Sequence, residues 1–217
     1  MPHTTALEPL ETDQWFVDSP ELSEFVTTAK EIIASTSGDS YGTLHERTET
    51  LNILEPYFAA LLQKRDWLPE DFAQPNPESG LGGGIGQWLL YRSQELTIFS
   101  LVIPPNSITP IHDHLSWGLV GLYQGKQEET VYRRLDNGEL EGFAQLEIVG
   151  LYQVKRGDIY RLLPPDGDIH SVKATTVFAP SISIHVMGND TGSILRNQYN
   201  PEQQSIQSFR SGYSNAR

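Results

Sequence analysis

The sequence of 217 residues contains no cysteine. This absence excludes disulfides, thiolate metal ligands and a cysteine nucleophile. Any metal site must therefore be built from His, Asp or Glu side chains. The chain also lacks an apolar run approaching the roughly 20 residues of a membrane-spanning helix, which argues against a membrane protein.

Positive charge is scarce. Lys and Arg number 15 against 28 Asp and Glu, so the formal net charge is −13. An excess of negative charge spread along the chain repels nucleic acid and anionic lipid, and we expect neither as a partner. The first residues have neither a basic start nor an apolar stretch for export, which predicts a cytoplasmic location. The oligomeric state stays open.

The first 65 residues read as helical. Ser19 is a typical capping residue before Pro20 at the first helical position, and an amphipathic pattern follows. A second helix is expected over residues 48–65. Pro56 interrupts that pattern, so it either kinks the helix or marks a fresh start after Glu55.

Residues 66–86 are rich in Pro, Gly and acidic residues, which is typical of a connecting loop. Glycines 82–84 lack the Lys-Ser/Thr and the strand-to-helix context of a phosphate-binding loop, so a flexible linker is the better interpretation. We therefore divide the chain into an N-terminal helical extension with its loop, residues 1–86, and a β-rich part with a C-terminal tail, residues 87–217. The two parts are expected to form one compact unit.

From residue 87 onward, short β-rich segments follow one another between Gly and Pro clusters, with no long helical pattern. This predicts an all-β sandwich or barrel. The segments are QWLLYRS, LTIFSLVI, WGLVGLYQG, EETVYRR, QLEIVGLYQV, DIYRLL, IHSVKAT and SISIHVMG.

Four of the six histidines fall in this β-rich part. His112 and His114 are separated by one residue, so on a strand both rings point to one face and Asp113 to the other. His170 follows a Pro-x-Gly turn that could start a neighbouring strand, and it could supply a third ligand. The interpretation without a metal is a pair of surface or hydrogen-bonded histidines. The remaining two, His3 and His45, are taken as bystanders.

The surroundings of these histidines favour a metal site. A Pro-rich turn precedes the pair, a Gly-punctuated strand follows it, and GDIYRLLPPDGDIH comes about 56 residues later. The two segments resemble the two characteristic cupin motifs. The resemblance implies a mainly β fold, a cupin double-stranded β-helix (jelly-roll barrel) with N-terminal α-helices. The first motif carries His112, His114 and Gly125, and the second carries Gly157, Pro165, Gly167 and His170.

One departure from the cupin pattern is informative. Many cupins place a metal-binding Glu four or five residues after the second histidine, where this chain has Gly118 and Leu119. A three-histidine site resembles the thiol dioxygenase branch of cupins. The motif HDHxxWGxxGxxxG is similar to that of the bacterial 3-mercaptopropionate and cysteine dioxygenase-like proteins.

A second constellation lies on the segment SISIHVMG. Ser183, His185 and Met187 alternate along it and therefore share one face of a strand. They resemble the Ser-x-His-x-Tyr relay of thiol dioxygenases, with Met187 at the Tyr position. A thioether cannot donate a proton, which leaves the end of the relay to water or to a hydroxyl such as that of Tyr199 or Tyr160. The alternative without catalysis is that Ser183 and His185 are a buried polar pair whose hydrogen bonds are satisfied. Some thiol dioxygenases crosslink this Tyr to a Cys. No such crosslink can form here, because Met187 stands at the Tyr position and the chain has no cysteine.

Recognition of a thiol carboxylic acid requires a cation, since a guanidinium binds a carboxylate through two parallel hydrogen bonds. Arg196 follows His185 by eleven residues, which is similar to the spacing of the carboxylate-binding Arg in the 3-mercaptopropionate type. Gln87 stands where that type has a Gln and the cysteine type an Arg. Arg92 is a further candidate on the same strand region. The alternative for either arginine is a solvated surface charge.

The resemblance implies a mononuclear non-haem iron dioxygenase with one Fe(II) per chain, which oxidises a small thiol with O₂ to its sulfinate. Imidazole ligands alone also suit Zn, Cu, Ni and Mn, so iron follows from the resemblance and not from the ligands. Two alternatives remain open. One is a different cupin dioxygenase or a zinc hydrolase, and the other is a metal-binding sensor or binding module without turnover.

Overall fold

Residues 12–36, 42–79 and 81–216 are described by the computed structural model of the protein. The helices are α1 (Pro20–Thr36), α2 (Leu44–Gln63) and a short 3-10 helix (Glu70–Phe72). The strands are β1 (Gln14–Trp15), β2 (Gly86–Arg92), β3 (Thr97–Ile103), β4 (Ile111–His112), β5 (Gly118–Gln124), β6 (Lys126–Arg134), β7 (Leu146–Lys155), β8 (Ile159–Leu162), β9 (Ile169–Ala174), β10 (Ser181–Met187), β11 (Arg196–Asn200) and β12 (Ser205–Phe209). None of the described helices is long and apolar enough to cross a membrane.

The strands form two six-stranded antiparallel sheets. The order is β1-β2-β3-β10-β5-β8 in the first sheet and β12-β11-β4-β9-β6-β7 in the second. The central strands β3-β10-β5-β8 and β4-β9-β6-β7 have the order of a jelly roll, in which the chain passes repeatedly from one sheet to the other. The molecule is therefore mainly β, with the double-stranded β-helix predicted for it. All eight predicted strand segments are present, as β2, β3 and β5 to β10.

Three strands were not predicted: β1, β11 and β12. The first contains only two residues, which is too short for alternation to be visible. Strand β11 has the sequence RNQYN, and Asn is depleted in strands. Its place is determined by pairing on both edges, with β12 on one side and β4 on the other. The signal for these strands is therefore tertiary.

Helix α1 begins at Pro20 as predicted, and the backbone N–H of Leu22 donates to Ser19 Oγ over 3.3 Å. Helix α2 begins earlier than predicted, because Thr43 and Glu46 form a capping box. Of the two alternatives for Pro56, a fresh start after Glu55 is wrong, since α2 runs through the proline, and the kink stays a prediction. Pro56 lies on the exposed face, where water can solvate the carbonyl that the missing N–H leaves free.

The helices pack on the side of the barrel, against the outer face of the first sheet. Strand β10 shows the arrangement. Ile182, Ile184 and Val186 face outward into a core shared with both helices, and every residue of the strand is buried. Gly121 on β5 permits the close approach of α2, because a Cβ there would overlap Leu62 and Phe58. The alternate residues of β10 face into the barrel, where the candidate site lies.

Candidate metal centre

Three histidines from two neighbouring strands of the second sheet converge inside the barrel. His112 on β4 is paired with His170 on β9, and His114 follows two residues after His112. The candidate ligand atoms of the three side chains all lie within 4.8 Å of one another. The three rings are 4.7 to 5.0 Å apart between centroids. These residues form a group that could hold one metal ion.

The route by which His114 reaches this group differs from the prediction. Strand β4 ends at His112, so His114 does not continue a regular strand. Instead, the Asp168 carboxylate accepts the backbone N–H groups of His114 and Leu115, both over 3.0 Å. Leu115 has a φ of +55°, and the chain turns there. The turn and the carboxylate, rather than strand alternation, place the second ring beside the first.

The Nδ1 atom of His112 has a hydrogen-bond partner outside the cluster. His112 Nδ1 lies 2.9 Å from the carbonyl oxygen of Pro110. A carbonyl can only accept, so Nδ1 carries the proton and Nε2 keeps its lone pair. His114 Nδ1 lies 3.2 Å from an Asp168 carboxylate oxygen, which has the same consequence.

The third ring is oriented in the same way. His170 Nδ1 lies 2.9 Å from an oxygen of Glu129, a carboxylate that is 4% exposed on β6. Outer partners of this kind set the tautomer of metal-binding histidines and raise their basicity. All three Nδ1 atoms are thus engaged away from the centre, and all three Nε2 atoms remain for a ligand.

Glu129 and Asp168 were not predicted as part of the site. Each has a weak signal in the sequence. Glu129 occupies an inward position of β6, alternating with the buried Gln127, where a charged side chain requires a partner. Asp168 stands two residues before His170. Neither signal identifies the partner, because the hydrogen bonds cross from one strand or loop to another.

The electrostatics favour neutral rings. Burial lowers the pKa of His112 well below its usual value, and the neighbouring His114 and His170 lower it further. Burial and His170 act on the pKa of His114 in the same direction. Neutral imidazoles with free Nε2 lone pairs suit a divalent transition metal. The residues therefore fit such an ion, and the donor set does not select among Fe, Zn, Ni, Cu and Mn.

No carboxylate from β5 reaches the three histidines. Gly118 faces the barrel interior but has no side chain, and Leu119 packs in the core under the helices. Among the described residues, the group that could hold a metal consists of three histidines alone. The departure from the usual cupin pattern is therefore a property of the site and not only of the sequence motif.

A small cavity adjoins the cluster. Its volume is about 30 Å³, and most of its wall is apolar. The lining residues named below are Gln87, Phe99, His112, His114, His185, Arg196 and Phe209.

Arg196 is a buried cation in this wall, with 3% of its surface exposed. One guanidinium nitrogen donates to the backbone oxygen of Asp113 over 2.6 Å and another to Ser211 Oγ over 2.7 Å. Its Nε has no hydrogen-bond partner, and no carboxylate of the described residues lies within 4.0 Å of it. Burial lowers its pKa, and the charges of Asp113 and Asp168 act in the opposite direction without forming an ion pair with it. A buried guanidinium with no carboxylate in direct contact favours binding of an anion here.

Of the other two candidate substrate-binding residues, Gln87 lies at the cavity and Arg92 does not. Gln87 lines the cavity beside Arg196. Arg92 does not line it: its guanidinium contacts Gln14 and Asp190, with a distance of 3.1 Å to the Asp190 carboxylate. The structure thus gives Arg92 a structural partner and does not bring it to the site. The reason is the length of β2, since Arg92 lies at the opposite end of that strand from Gln87.

Ser183 and His185 lie on β10 as expected, and Ser183 Oγ is 3.1 Å from His185 Nε2. Phe99 stacks on the His185 ring with centroids 4.5 Å apart. Burial lowers the pKa of His185 well below its usual value, so this ring is neutral too. Its Nδ1 has no partner among the described residues. Met187 is fully buried in the barrel core.

Neither candidate hydroxyl completes a relay at His185. Tyr199 OH donates to the Asp113 carboxylate over 2.9 Å, on the far side of the histidine segment. Tyr160 packs against His170 with ring centroids 5.9 Å apart, and its buried hydroxyl has no hydrogen-bond partner within the described part of the chain. The hydrogen bond between Ser183 and His185 is therefore the extent of the relay.

Comparison with known proteins gives no function for this chain. No protein-family profile matches the chain. An uncharacterised double-stranded β-helix protein of Klebsiella pneumoniae is similar at 14% identity over 58% of this chain and 85% of that one, with a TM-score of 0.40. The cupin domain of Schizosaccharomyces pombe Cnp3 is similar at 16% over 53% and 72%, with a TM-score of 0.37. Oxalate decarboxylase of Bacillus subtilis is similar at 16% over 54% and 24%, with a TM-score of 0.34. Likeness at this level does not transfer an activity.

Proposed function

We propose that the protein is a mononuclear non-haem iron dioxygenase that converts a small thiol carboxylic acid into its sulfinate with O₂. One observation carries the proposal: a buried guanidinium that forms no ion pair within the described part of the chain lines the same small cavity as His112 and His114. Arg196, which could bind a carboxylate, thus lies beside a histidine group whose metal could bind a thiolate. The substrate would be similar to 3-mercaptopropionate or cysteine.

The ligand set is consistent with this chemistry. His112, His114 and His170 would hold Fe(II), which would supply activation of O₂ and lower the pKa of the substrate thiol. The overall reaction is RSH + O₂ → RSO₂H. Both oxygen atoms end on sulfur, which loses four electrons, so no external reductant is needed.

Arg196 would orient the substrate. Its free N–H groups would bind the carboxylate and hold the sulfur end toward the three histidines, a gain in proximity that raises the rate of the following step. Gln87 shares this wall. The small cavity would exclude larger thiols.

His185 would act beside the reacting atoms. It lines the cavity as a neutral ring, fixed by the stack on Phe99 and by the hydrogen bond to Ser183. With one ring nitrogen engaged by a hydroxyl, it can hold a proton or organise a water molecule next to the developing negative charge. Ser183 would set the position of this ring.

The deciding experiment is direct. The purified protein is loaded anaerobically with Fe(II), offered 3-mercaptopropionate, cysteine, cysteamine and mercaptosuccinate, and followed for O₂ uptake and sulfinate formation. We expect uptake and sulfinate in a one-to-one ratio with a carboxylate thiol and none with cysteamine. Metal binding without O₂ uptake for any thiol would reject the proposal and favour a sensor or binding module. Activity that needs Zn and no O₂ would favour a hydrolase.

A further inference from the structure

The end of the described chain ties the two sheets together beside the cavity. Residues 209–215, which we call the C-terminal strap, leave β12 in the second sheet and reach β2 in the first. The side chain of Asn215 bonds both backbone groups of Leu89, each over 2.9 Å. The backbone N–H of Ser214 donates to the carbonyl of Gln87 over 2.6 Å. The strap is therefore a fixed part of the site wall and was not expected from the sequence.

Ser211 in the strap contacts both polar groups of that wall. Its Oγ lies 2.7 Å from a terminal nitrogen of Arg196 and 3.2 Å from Gln87 Nε2. Guanidinium and carboxamide nitrogens can only donate, so the serine oxygen accepts from both. One hydroxyl thus connects the two side chains that line the cavity beside the histidines.

The same contacts determine the orientation of Gln87. Its Nε2 also donates to the carbonyl of Gly212 over 2.9 Å. A carbonyl accepts only, so the amide nitrogen must point to the strap, and its two hydrogens are taken by Ser211 and Gly212. The amide oxygen is the polar atom of Gln87 that remains for the cavity.

The orientation of Arg196 is fixed from three directions. The backbone oxygen of Asp113 takes one nitrogen, Ser211 takes another, and the ring of Phe209 lies 4.8 Å from the guanidinium carbon. A planar guanidinium held at these points keeps its remaining N–H groups in one fixed plane. Two of the three contacts come from the strap.

We propose that Ser211 is a positioning residue that holds Arg196 in the arrangement that binds a carboxylate and keeps the amide nitrogen of Gln87 turned to the strap. The inference rests on the proposed role of Arg196 in the function above and extends it to a part of the chain outside the cupin motifs. Ser211 acts on the ligand through Arg196, so its loss affects carboxylate binding and leaves the histidine cluster intact.

The test compares Ser211→Ala with Ser211→Thr, which keeps the hydroxyl. Binding of 3-mercaptopropionate and of propionate to the Fe(II)-loaded protein is measured anaerobically by calorimetry, together with metal content, KM and kcat. We expect Ser211→Ala to weaken both ligands about tenfold, the order of one hydrogen bond to a charged group. Metal content and kcat stay at the wild-type level, and Ser211→Thr retains most of the affinity.

Two further variants control for a general loss of packing in β12 and the C-terminal strap. Ser208→Ala changes an exposed serine of β12 whose side chain bonds no described residue, and it should bind both ligands as the wild type does. Ser214→Ala removes the hydroxyl that accepts the backbone N–H of Gln87 over 3.1 Å without touching Arg196. Equal losses in Ser211→Ala and Ser214→Ala, or in the Ala and Thr variants of Ser211, would overturn the proposal.

The two proposals can fail separately. Absence of O₂ uptake with every thiol, combined with propionate binding that depends on Ser211, would reject the dioxygenase and retain the positioning role. Thiol oxidation with an unchanged KM in Ser211→Ala would retain the dioxygenase and reject the positioning role.

Discussion

Met187 occupies the space that a side chain at Gly118 would take. The two residues are paired on adjacent strands β10 and β5, and a Cβ on Gly118 would lie 2.5 Å from the Met187 sulfur. Gly118 is one of the positions at which many cupins carry a metal-binding Glu, and Met187 stands where a thiol dioxygenase has its relay Tyr. The two departures from the patterns that the sequence resembles are therefore in contact inside the barrel.

This contact predicts a coupled effect on stability. Gly118→Ala should destabilise the protein by about 1–3 kcal/mol, because the added methyl group overpacks a fully buried region. In a Met187→Ala background the same change should cost less than about 1 kcal/mol, since the space is then open. Urea unfolding of the four variants in a double-mutant cycle measures the difference. Equal costs in both backgrounds would show that the two side chains do not compete for space.

Removal of single histidines should separate metal binding from the rest of the site. His170→Ala should abolish metal loading, because two imidazoles remain from a set of three. His185→Ala should load metal fully, since this ring is engaged by Ser183 and belongs to a different strand. Elemental analysis after loading with Fe(II) and dialysis gives the answer, with His45→Ala in α2 as the control. Unchanged iron in His170→Ala would exclude that residue as a ligand.

The outer carboxylate on His170 should tune the affinity for the metal. Loss of such a partner typically costs 10- to 100-fold, and we expect a change of about this size for Glu129→Ala. Glu129→Gln keeps an oxygen for His170 Nδ1–H and should lose less. The matched control is Glu128→Gln on the same strand, whose carboxylate bonds Gln153 instead. Competition with a chromophoric chelator measures the dissociation constant, and equal affinities for all variants would contradict the tautomer argument.

Arg196 should discriminate ligands by charge. In Arg196→Gln the KM for 3-mercaptopropionate should rise about 10- to 100-fold, the value of hydrogen bonds to a charged group, while the KM for neutral 2-mercaptoethanol stays unchanged. Arg196→Lys should fall between, because a lysine keeps the charge but not the paired geometry. Steady-state O₂ consumption with both thiols supplies the comparison. Parallel losses for charged and neutral thiols would remove the carboxylate-binding role.

Arg92 provides a contrasting prediction. Its guanidinium bonds Gln14 and Asp190 at the far end of β2, so it supports the structure and not the ligand. Arg92→Gln should leave the KM for 3-mercaptopropionate unchanged and lower the free energy of unfolding by about 1–3 kcal/mol, the cost of leaving a partly buried partner unsatisfied. A changed KM with unchanged stability would contradict this assignment.

The sequence by itself determined the strands of the barrel and the identity of the histidine group. Alternation, Gly and Pro punctuation and the spacing of His112, His114 and His170 are local signals, because side-chain direction on a strand follows from position along the chain. Ser183 and His185 were recognisable for the same reason. Each of these features depends on residues within a few positions of one another or on two short motifs.

The tertiary structure decided what surrounds that group. Glu129 and Asp168 orient the rings, Ser211 holds Arg196, and Met187 fills the space over Gly118. Each of these contacts joins different segments of the chain, and the hydrogen bond or packing contact exists only after those segments have been brought together by strand pairing and loop closure. The separation of Gln87 from Arg92 is also tertiary, since the two share a strand and differ only in which end meets the cavity. The pairing of strands, and not composition, determines these positions.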